Sequence, residues 1–296
     1  MKKSNNFMLI MGIILISIIS YMSMFLYEYS HASYQNFNSN ILLNKIPTDV
    51  LNIFFIPLIN TLVIAPLFIF EYQFRKIKGD NFEFQFDGLI LTFAYSIVGQ
   101  ILGALIFSHL DPYKPSAFLE INFSGTLGFF LKSLLGLFAI DFIYYWIHRA
   151  QHKFNLLWKY HSVHHSIRFL NSHNCYHHIS EHIVGFLIGL FLSLFVFNYN
   201  GIAPFFAYYF AYVGVYNHAR VDWLNFGGAR IVLADPKFHL SHHLLNPRFH
   251  NTNFGGFTAF FDVVFRTYVE PTNEAFDGPY GVEAKDNPTI KKIFKF

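Results

Sequence analysis

The sequence predicts an all-α integral membrane protein with about four transmembrane helices, a short membrane hairpin and a helical cap on the cytoplasmic side. Of its 296 residues, 53% are hydrophobic and only 13% are charged, whereas an ordinary soluble domain carries about 25% charged residues. The apolar residues gather in runs of about 20 residues or more, the length that crosses a hydrocarbon core of about 30 Å. This composition excludes a disordered chain, a coiled coil and an ordinary cytosolic enzyme.

The main apolar runs lie in the first half of the chain. The predicted spans are Phe7 to Tyr27, Val50 to Phe70, Gly88 to Leu110 and Gly125 to Ile147. The first follows Lys2 and Lys3 and is longer than the apolar core of a signal peptide, so we expect an uncleaved helix. Two shorter runs, Ile183 to Phe197 and Ile202 to Val215, form either a re-entrant hairpin or a pair of short spans.

Lysine and arginine residues define the expected orientation, because they favour the cytoplasmic side of a membrane. One side carries Lys2, Lys3, Arg75, Lys76 and Lys78, and the opposite loops carry only Lys45 and Lys114. We therefore expect both termini, and the segments after His148 and after Asn217, to be cytoplasmic. The predicted units are the N-terminal transmembrane helices (1–124), the last spans with a histidine-rich cap (125–271) and a loosely packed polar tail (272–296).

Histidine is unusually frequent for so apolar a chain. There are 16 histidines, and fourteen of them lie between His148 and His250. His148 and His152 continue the fourth apolar run, four residues apart. The pattern His-x-x-His-His then occurs twice, at 161–165 and at 239–243. On a helix this spacing places the imidazoles on one side. Asp235-Pro236 predicts the start of the second of these helices, and Asn246-Pro247 its end.

This spacing predicts metal ligation. Neutral imidazole is a good ligand for iron, zinc and copper, and the histidines exceed what one ion can bind, so we expect two ions with open positions. The ten predicted ligands are His148, His152, His161, His164, His165, His178, His218, His239, His242 and His243. The clusters contain hardly any carboxylate, unlike the Glu-x-x-His pairs of ferritin-like di-iron bundles. Whether His182, four residues after His178, contributes is left open.

The residues around these histidines resemble the fatty acid hydroxylase/sterol desaturase superfamily. The similarity lies in the family patterns YW-x-HR-x-x-H, LW-x-x-H-x-x-HHS and P-x-FH-x-x-HH and in four shorter elements. The segments that carry it are Asp141–His152, Leu157–Ser166, His178–Glu181, Asn217–Ala219, Pro236–His243, Asn251–Gly255 and Phe261–Tyr268. Ile179 stands in place of a proline, Phe261 in place of a tryptophan and Arg266 in place of a glycine. The resemblance runs from about Leu127 to Pro271.

The resemblance implies an enzyme that uses two iron ions and O2 to hydroxylate or desaturate a lipid C–H bond, with 125–271 as its catalytic domain. Metal-bound histidines usually donate their second nitrogen to an acceptor, and a carboxylate inside a membrane segment is costly. Asp141, Glu181 and Asp262 are therefore the expected acceptors, and Asn251 and Asn253 are expected to brace the last histidine turn.

One further carboxylate has two open roles. Asp222 stands where some relatives have a histidine, so it either ligates a metal or pairs with Arg220 or Arg230.

The electrons for such a reaction are expected from a separate donor. The sequence shows no Gly-rich dinucleotide loop, flavin motif, cysteine cluster or cytochrome b5 domain. A cytochrome b5-like protein, a ferredoxin or a reductase docking on the basic cytoplasmic face is the expected partner. Nucleic acid is not expected, because the net charge is only +3 and forms no basic stripe.

Two other classes of protein remain as alternatives. One is a haem-binding membrane electron-transfer protein, and the other is a zinc-dependent membrane hydrolase or metal transporter. The sequence leaves open which lipid is used and whether it is hydroxylated or desaturated.

Overall fold

A computed structural model of the protein describes residues 67–76, 84–110, 125–183, 214–221 and 225–282. The first predicted span, most of the second and nearly all of the hairpin lie outside the described residues.

The described part of the chain is mostly helical. Residues 67–76 are helical, α1 covers Phe86–Leu110, and α2 covers Gly125–Lys153. Because α2 is a single helix, the fourth apolar run continues directly into His148 and His152, as the sequence predicts. Within the described ranges, none of the helices combines the length and the apolarity of a candidate membrane span.

Short helices form the cap that follows α2. They are α3 (Asn155–His165), α4 (Pro236–His242), α5 (Phe260–Val264) and α6 (Glu274–Asp277). Between α2 and α3 the backbone is extended at Phe154 alone, with φ −104° and ψ 121°. This break lets α3 fold back against α2, which brings the first two histidine motifs together.

The predicted start of α4 is confirmed. The Asp235 side chain accepts a hydrogen bond from the Phe238 amide at 2.9 Å, and Pro236 occupies the first turn. An N-terminal carboxylate satisfies an amide that has no partner within the helix, and proline lacks the amide that would otherwise need one. The sequence thus fixes where α4 begins, and with it the direction in which its histidines point.

The prediction of a loosely packed tail after residue 271 is wrong for its first part. Ala275, Phe276 and Tyr280 are buried in the same apolar core as Leu240 and Leu244. The Tyr280 backbone also forms a β-bridge with that of Leu244. The segment is polar on average, so its composition does not reveal these few apolar residues. They are nevertheless enough to pack the segment against α4.

Candidate metal centre

Nine of the ten predicted ligands converge in two groups. Group A consists of His148, His152, His161, His165 and His242, and group B of His164, His218, His239 and His243. Within each group, one ring nitrogen of every histidine lies within 4.8 Å of those of all the others. The structure therefore brings together two sets of donors, as a two-metal site requires.

Each His-x-x-His-His motif contributes to both groups. In α3, His161 and His165 belong to group A and His164 to group B, whereas in α4, His239 and His243 belong to group B and His242 to group A. At 3.6 residues per turn, position i+4 lies about 40° from i in one direction around the helix axis, and position i+3 lies about 60° from i in the other direction. The motif thus covers an arc wide enough to serve two neighbouring centres from one helix.

Backbone carbonyl groups fix the proton position on four of these imidazoles. In group A, His148 Nδ1 donates to the Phe254 carbonyl at 2.8 Å, and His242 Nδ1 to the Thr252 carbonyl at 2.6 Å. In group B, His164 Nδ1 donates to the Tyr176 carbonyl at 3.1 Å, and His218 Nδ1 to that of Gly214. A carbonyl oxygen only accepts, so the neutral rings carry their proton on Nδ1 and a lone pair on Nε2.

The Nε2 lone pairs of His164 and His218 face each other at short distance, and two further pairs of Nε2 atoms lie about as close. The Nε2 atoms of His164 and His218 are 3.0 Å apart, those of His218 and His239 3.1 Å, and those of His165 and His242 3.2 Å. Two acceptors this close repel unless a cation lies between them. Donors at right angles on one ion, with bonds of about 2.1 Å, are about 3 Å apart. The donor set therefore fits a bound metal ion in each group.

Burial keeps these histidines in the neutral form that metals bind. It lowers the pKa of His218 to about 4 and that of His242 to about 3, because water no longer solvates the imidazolium. It lowers the pKa of His148, His164 and His239 well below the ordinary value. In addition, His152 Nε2 and both ring nitrogens of His161 are buried without a hydrogen-bond partner among the described residues.

Asp141 is expected from the sequence to accept from a metal-bound histidine, but backbone carbonyls take that role for His148 and His242, and Asp141 accepts from a loop. Its Oδ1 accepts from the amides of Gly256 (3.1 Å) and Phe257 (2.7 Å), and its Oδ2 from the Thr258 amide (3.0 Å) and hydroxyl (2.6 Å). The same loop supplies the Phe254 carbonyl that holds His148. A buried carboxylate in α2 thus positions the loop, and the loop positions the histidine.

Asp262 also holds that loop in place. Its carboxylate accepts from the amides of Phe254 (2.8 Å) and Gly255 (2.7 Å) and from the Thr267 hydroxyl (2.7 Å). Gly255 has no room for a side chain, since a β-carbon would lie 2.0 Å from the Thr258 carbonyl. Burial raises the pKa of Asp262 to about 6, although its hydrogen bonds act in the opposite direction.

Asn253 connects this loop to α4. Its side-chain amide donates to the Ser241 hydroxyl at 2.9 Å and to the Val269 carbonyl at 3.0 Å, and its oxygen accepts from the Val269 amide. Its φ of 56° lies in the left-handed region, and the side chain is fully buried. Asn253 therefore braces the helix that carries His239, His242 and His243, the role expected from the sequence.

Glu181 lies beside group A. Its carboxylate accepts a hydrogen bond from the Gln151 side chain and lies 3.6 Å from His161 Nδ1. It is thus near enough to influence the orientation of His161 but does not form a direct hydrogen bond to it.

The tenth predicted ligand, His178, lies in neither group. Its Nδ1 lies 2.7 Å from the Ser180 hydroxyl and 3.2 Å from the Ser180 amide. Its ring lies near that of Tyr160. His182 also lies outside both groups, with its ring stacked on Tyr95. Asp222 lies outside the described residues.

Several residues that support the centre carry no signal in the sequence. The carboxylate of Glu71 accepts from the amides of Ser172 and Arg220, so it joins the segments that lead to His177 and His218. Buried Arg230 pairs with Asp235 at 3.1 Å and with Glu270 at 2.6 Å. His177 stacks on His164 with ring centroids 3.7 Å apart. Their isolated sequence positions give no sign of these contacts.

Comparison with known proteins agrees with this geometry. Residues 133–267 match the family model of fatty acid hydroxylase, and this range contains all nine histidines of groups A and B. This part of the chain is therefore similar to the fatty acid hydroxylase family.

Among curated proteins, the alkylglycerol monooxygenase of Danio rerio is 24% identical over 161 residues, which make up 54% of this chain and 35% of the relative. The matched part thus spans about a third of that relative's length. No solved structure shows a significant match.

Proposed function

We propose that this chain is a membrane-bound, O2-dependent di-iron oxygenase that hydroxylates or desaturates a C–H bond of a lipid. The observation that carries the proposal is the pair of buried histidine groups in which Nε2 atoms of neighbouring rings lie 3.0–3.2 Å apart. The groups lie in a range that matches the fatty acid hydroxylase family. Histidine-rich coordination with open positions suits non-haem iron.

Groups A and B would each hold one iron ion, and iron bound there supplies the activation of O2 and the oxidising power for C–H cleavage. The chain's own contribution is to keep the imidazoles neutral, fix their tautomer through backbone carbonyls and exclude water. Water exclusion matters because a strong oxidant otherwise reacts without its substrate.

The geometry favours this reading over a haem protein. Five ring nitrogens of group A lie within 4.8 Å of one another, and so do the four of group B. This packing leaves no room for a porphyrin ring between any two of them. A zinc-dependent hydrolase or a metal transporter would use the same histidine donors, so metal analysis rather than geometry distinguishes these classes from a di-iron oxygenase.

An exposed apolar stripe on α2 supports a lipid environment. Leu131, Leu135, Phe138, Phe142 and Trp146 recur at intervals of three and four residues and are 39–45% exposed. Soluble monomers rarely expose a continuous apolar patch of this kind. Since α2 also carries His148 and His152, a lipid chain beside it would have a short path to the centre.

The proposal extends to the lipid, the electron donor and the membrane topology. The name of the similar protein in Danio rerio makes an alkylglycerol one of the first lipids to test, next to fatty acyl chains, sterols, sphingoid bases and carotenoids. A separate electron donor docking on a basic cytoplasmic face remains a proposal, as does the membrane topology with both termini in the cytoplasm.

The experiment is a turnover assay with purified chain in lipid bilayers, supplied with iron, isotope-labelled O2, a reductase and an electron carrier. Hydroxylation would place one labelled oxygen atom in the lipid product, and desaturation would remove two hydrogen atoms without label. His250→Ala is the matched control, because His250 is exposed and lies in neither group. Absence of any oxidised lipid, with the irons shown to be bound, would refute the proposal.

The same assay tests the proposed electron donor. Full turnover with NADH but without an electron carrier would show that no separate donor protein is needed.

A further inference from the structure

One face of α1 lies against the segment 174–182. Gly88, Thr92, Tyr95 and Gly99 follow one another at intervals of four, three and four residues, which puts them on one face of a helix. Thr92 Oγ1 accepts a hydrogen bond from the Cys175 amide at 3.1 Å. This helix lies outside the range 133–267 that matches the family.

The two glycines permit unusually close contact at this face. A β-carbon at Gly88 would lie 2.0 Å from the Asn174 side chain, and one at Gly99 would lie 2.0 Å from the ring of His182. No larger residue fits at either position without movement of its neighbour, so α1 is held close to the segment 174–182 at both ends of the contact.

A stack of rings leads from this face to group B. The ring of Tyr95 lies between those of His182, at 3.9 Å and 19°, and His177, at 5.1 Å and 28°. The His177 ring in turn lies on that of His164, at 3.7 Å and 13°. Four nearly parallel rings thus connect α1 with a member of group B.

The last contact in this stack restricts the orientation of His164. Its Nδ1 donates to the Tyr176 carbonyl, and its Nε2 lies 3.0 Å from that of His218. A hydrogen bond at one corner still allows an imidazole to tilt, and the His177 ring against its face opposes that tilt. Since Tyr176 and His177 are consecutive, both restraints depend on where α1 holds this segment.

We propose that Tyr95, acting through His177, is a positioning residue that fixes the ring plane of the group B ligand His164. The inference rests on the proposed metal function of group B. It assigns to α1, a helix without a recognisable motif, a specific part in forming the metal centre. Outer-shell partners of a ligand typically contribute about 10–100-fold to metal affinity.

The test compares two substitutions of Tyr95 by titrating metal-free full-length protein with Co²⁺, whose visible absorption reports the geometry of its ligands. Tyr95→Leu removes the ring and Tyr95→Phe keeps it. The absorption that disappears in His218→Ala identifies group B. Ile90→Leu is the control on α1, since Ile90 is 50% exposed and lies away from the contact face.

We expect Tyr95→Leu to weaken Co²⁺ binding at group B by about tenfold or more and to shift its absorption, while group A is unchanged. Tyr95→Phe and Ile90→Leu should behave like the unmodified protein. Equal behaviour of Tyr95→Leu and Tyr95→Phe, or an equal loss at both groups, would overturn the inference.

If Tyr95→Leu does not fold, a second pair of variants tests whether a ring against His164 is needed for metal binding at group B. His177→Phe keeps a ring against His164 and should retain group B binding, whereas His177→Leu should lose it by the same factor. Equal binding by these two variants would also overturn the inference. Unmodified protein that bound no Co²⁺ would overturn the proposed function and the inference together, so the two failures are distinguishable.

Discussion

At the scale of single residues, the function depends on which nitrogen of each imidazole carries the proton. The Phe254 and Tyr176 carbonyls hold the proton of His148 and His164 on Nδ1, so the Nε2 lone pair of each is free to bind a metal, in group A for His148 and in group B for His164. His178 lies outside both groups, and its Nδ1 contacts the hydroxyl and amide of Ser180 rather than a backbone carbonyl. Histidines that look equivalent in the sequence therefore have different chemistry in the fold.

Removing one ligand from either group should abolish activity. His164→Ala affects group B and His242→Ala affects group A, and each should lower the bound metal per chain as well as turnover, because a metal loses a donor that no neighbour replaces. His250→Ala should leave both unchanged. Metal analysis by mass spectrometry, alongside the turnover assay, checks this. Normal metal content and turnover in His164→Ala would contradict the assignment of group B.

Arg266 offers a test of local backbone strain. It is exposed, with a φ of 59° in the left-handed region, which costs a non-glycine residue about 1–2 kcal/mol. Glycine removes this cost but gains freedom in the unfolded state, worth about 0.5–1 kcal/mol. Arg266→Gly should therefore raise the free energy of unfolding by up to about 1 kcal/mol, measured by denaturant titration.

Arg266→Ala is the matched control, since alanine keeps the same backbone penalty, and it should leave stability within about 0.5 kcal/mol. A glycine variant less stable than the alanine variant would show that the left-handed backbone at this position carries no penalty large enough for glycine to relieve.

At the scale of elements, the loop 252–258 connects distant parts of the chain to group A. Its Thr252 and Phe254 carbonyls hold His242 and His148. Asp141 and Asp262 in turn both accept hydrogen bonds from backbone amides of the loop. A substitution of either carboxylate should therefore change the positions of these histidines indirectly, through its effect on the loop.

Asp141→Asn tests this indirect connection. The carboxylate accepts four hydrogen bonds, and an amide group would present its own donors to some of them. Because buried donors would lose their acceptor, stability should fall by about 1–3 kcal/mol, and metal affinity at group A should fall by about tenfold or more. Thermal unfolding and Co²⁺ titration measure the two effects.

Asp277→Asn is the control, since Asp277 is an exposed carboxylate on α6, and it should change stability by no more than about 0.5 kcal/mol. If Asp141→Asn weakened group B as much as group A, the loop would not be the route by which Asp141 acts.

The elements that could be predicted are those whose signals are local. Asp235-Pro236 predicts the start of α4, and the spacing of His239, His242 and His243 predicts a shared side of that helix. The division of each motif between two groups follows from the helical angle, although it needs the relative placement of α3 and α4. The contacts of Tyr95 with His177 were not predictable, because they join positions that are far apart in sequence and have no periodic pattern.

At the scale of the whole molecule, metal binding and folding should depend on each other. The buried rings of His164 and His218 leave Nε2 lone pairs facing each other at 3.0 Å, an arrangement that is unfavourable without a cation. A ligand present at about 1,000 times its dissociation constant stabilises the folded state by about 4 kcal/mol. The metal-free chain should therefore unfold at a clearly lower temperature.

Removing metal with a chelator should lower the midpoint of thermal unfolding by about 10 °C or more, at about 2–4 °C per kcal/mol for each of two sites. Adding Fe²⁺ back under anaerobic conditions should restore it. The double variant His164→Ala, His242→Ala should respond weakly to the chelator. An equal response in the double variant would mean that the stabilising metal binds elsewhere.

The most direct test of the central claim is the metal content of the full-length protein, purified from membranes of cells that were supplied with both iron and zinc. We predict two iron ions per chain and no haem absorption band. Two zinc ions without iron, a haem band, or no bound metal at all would contradict it.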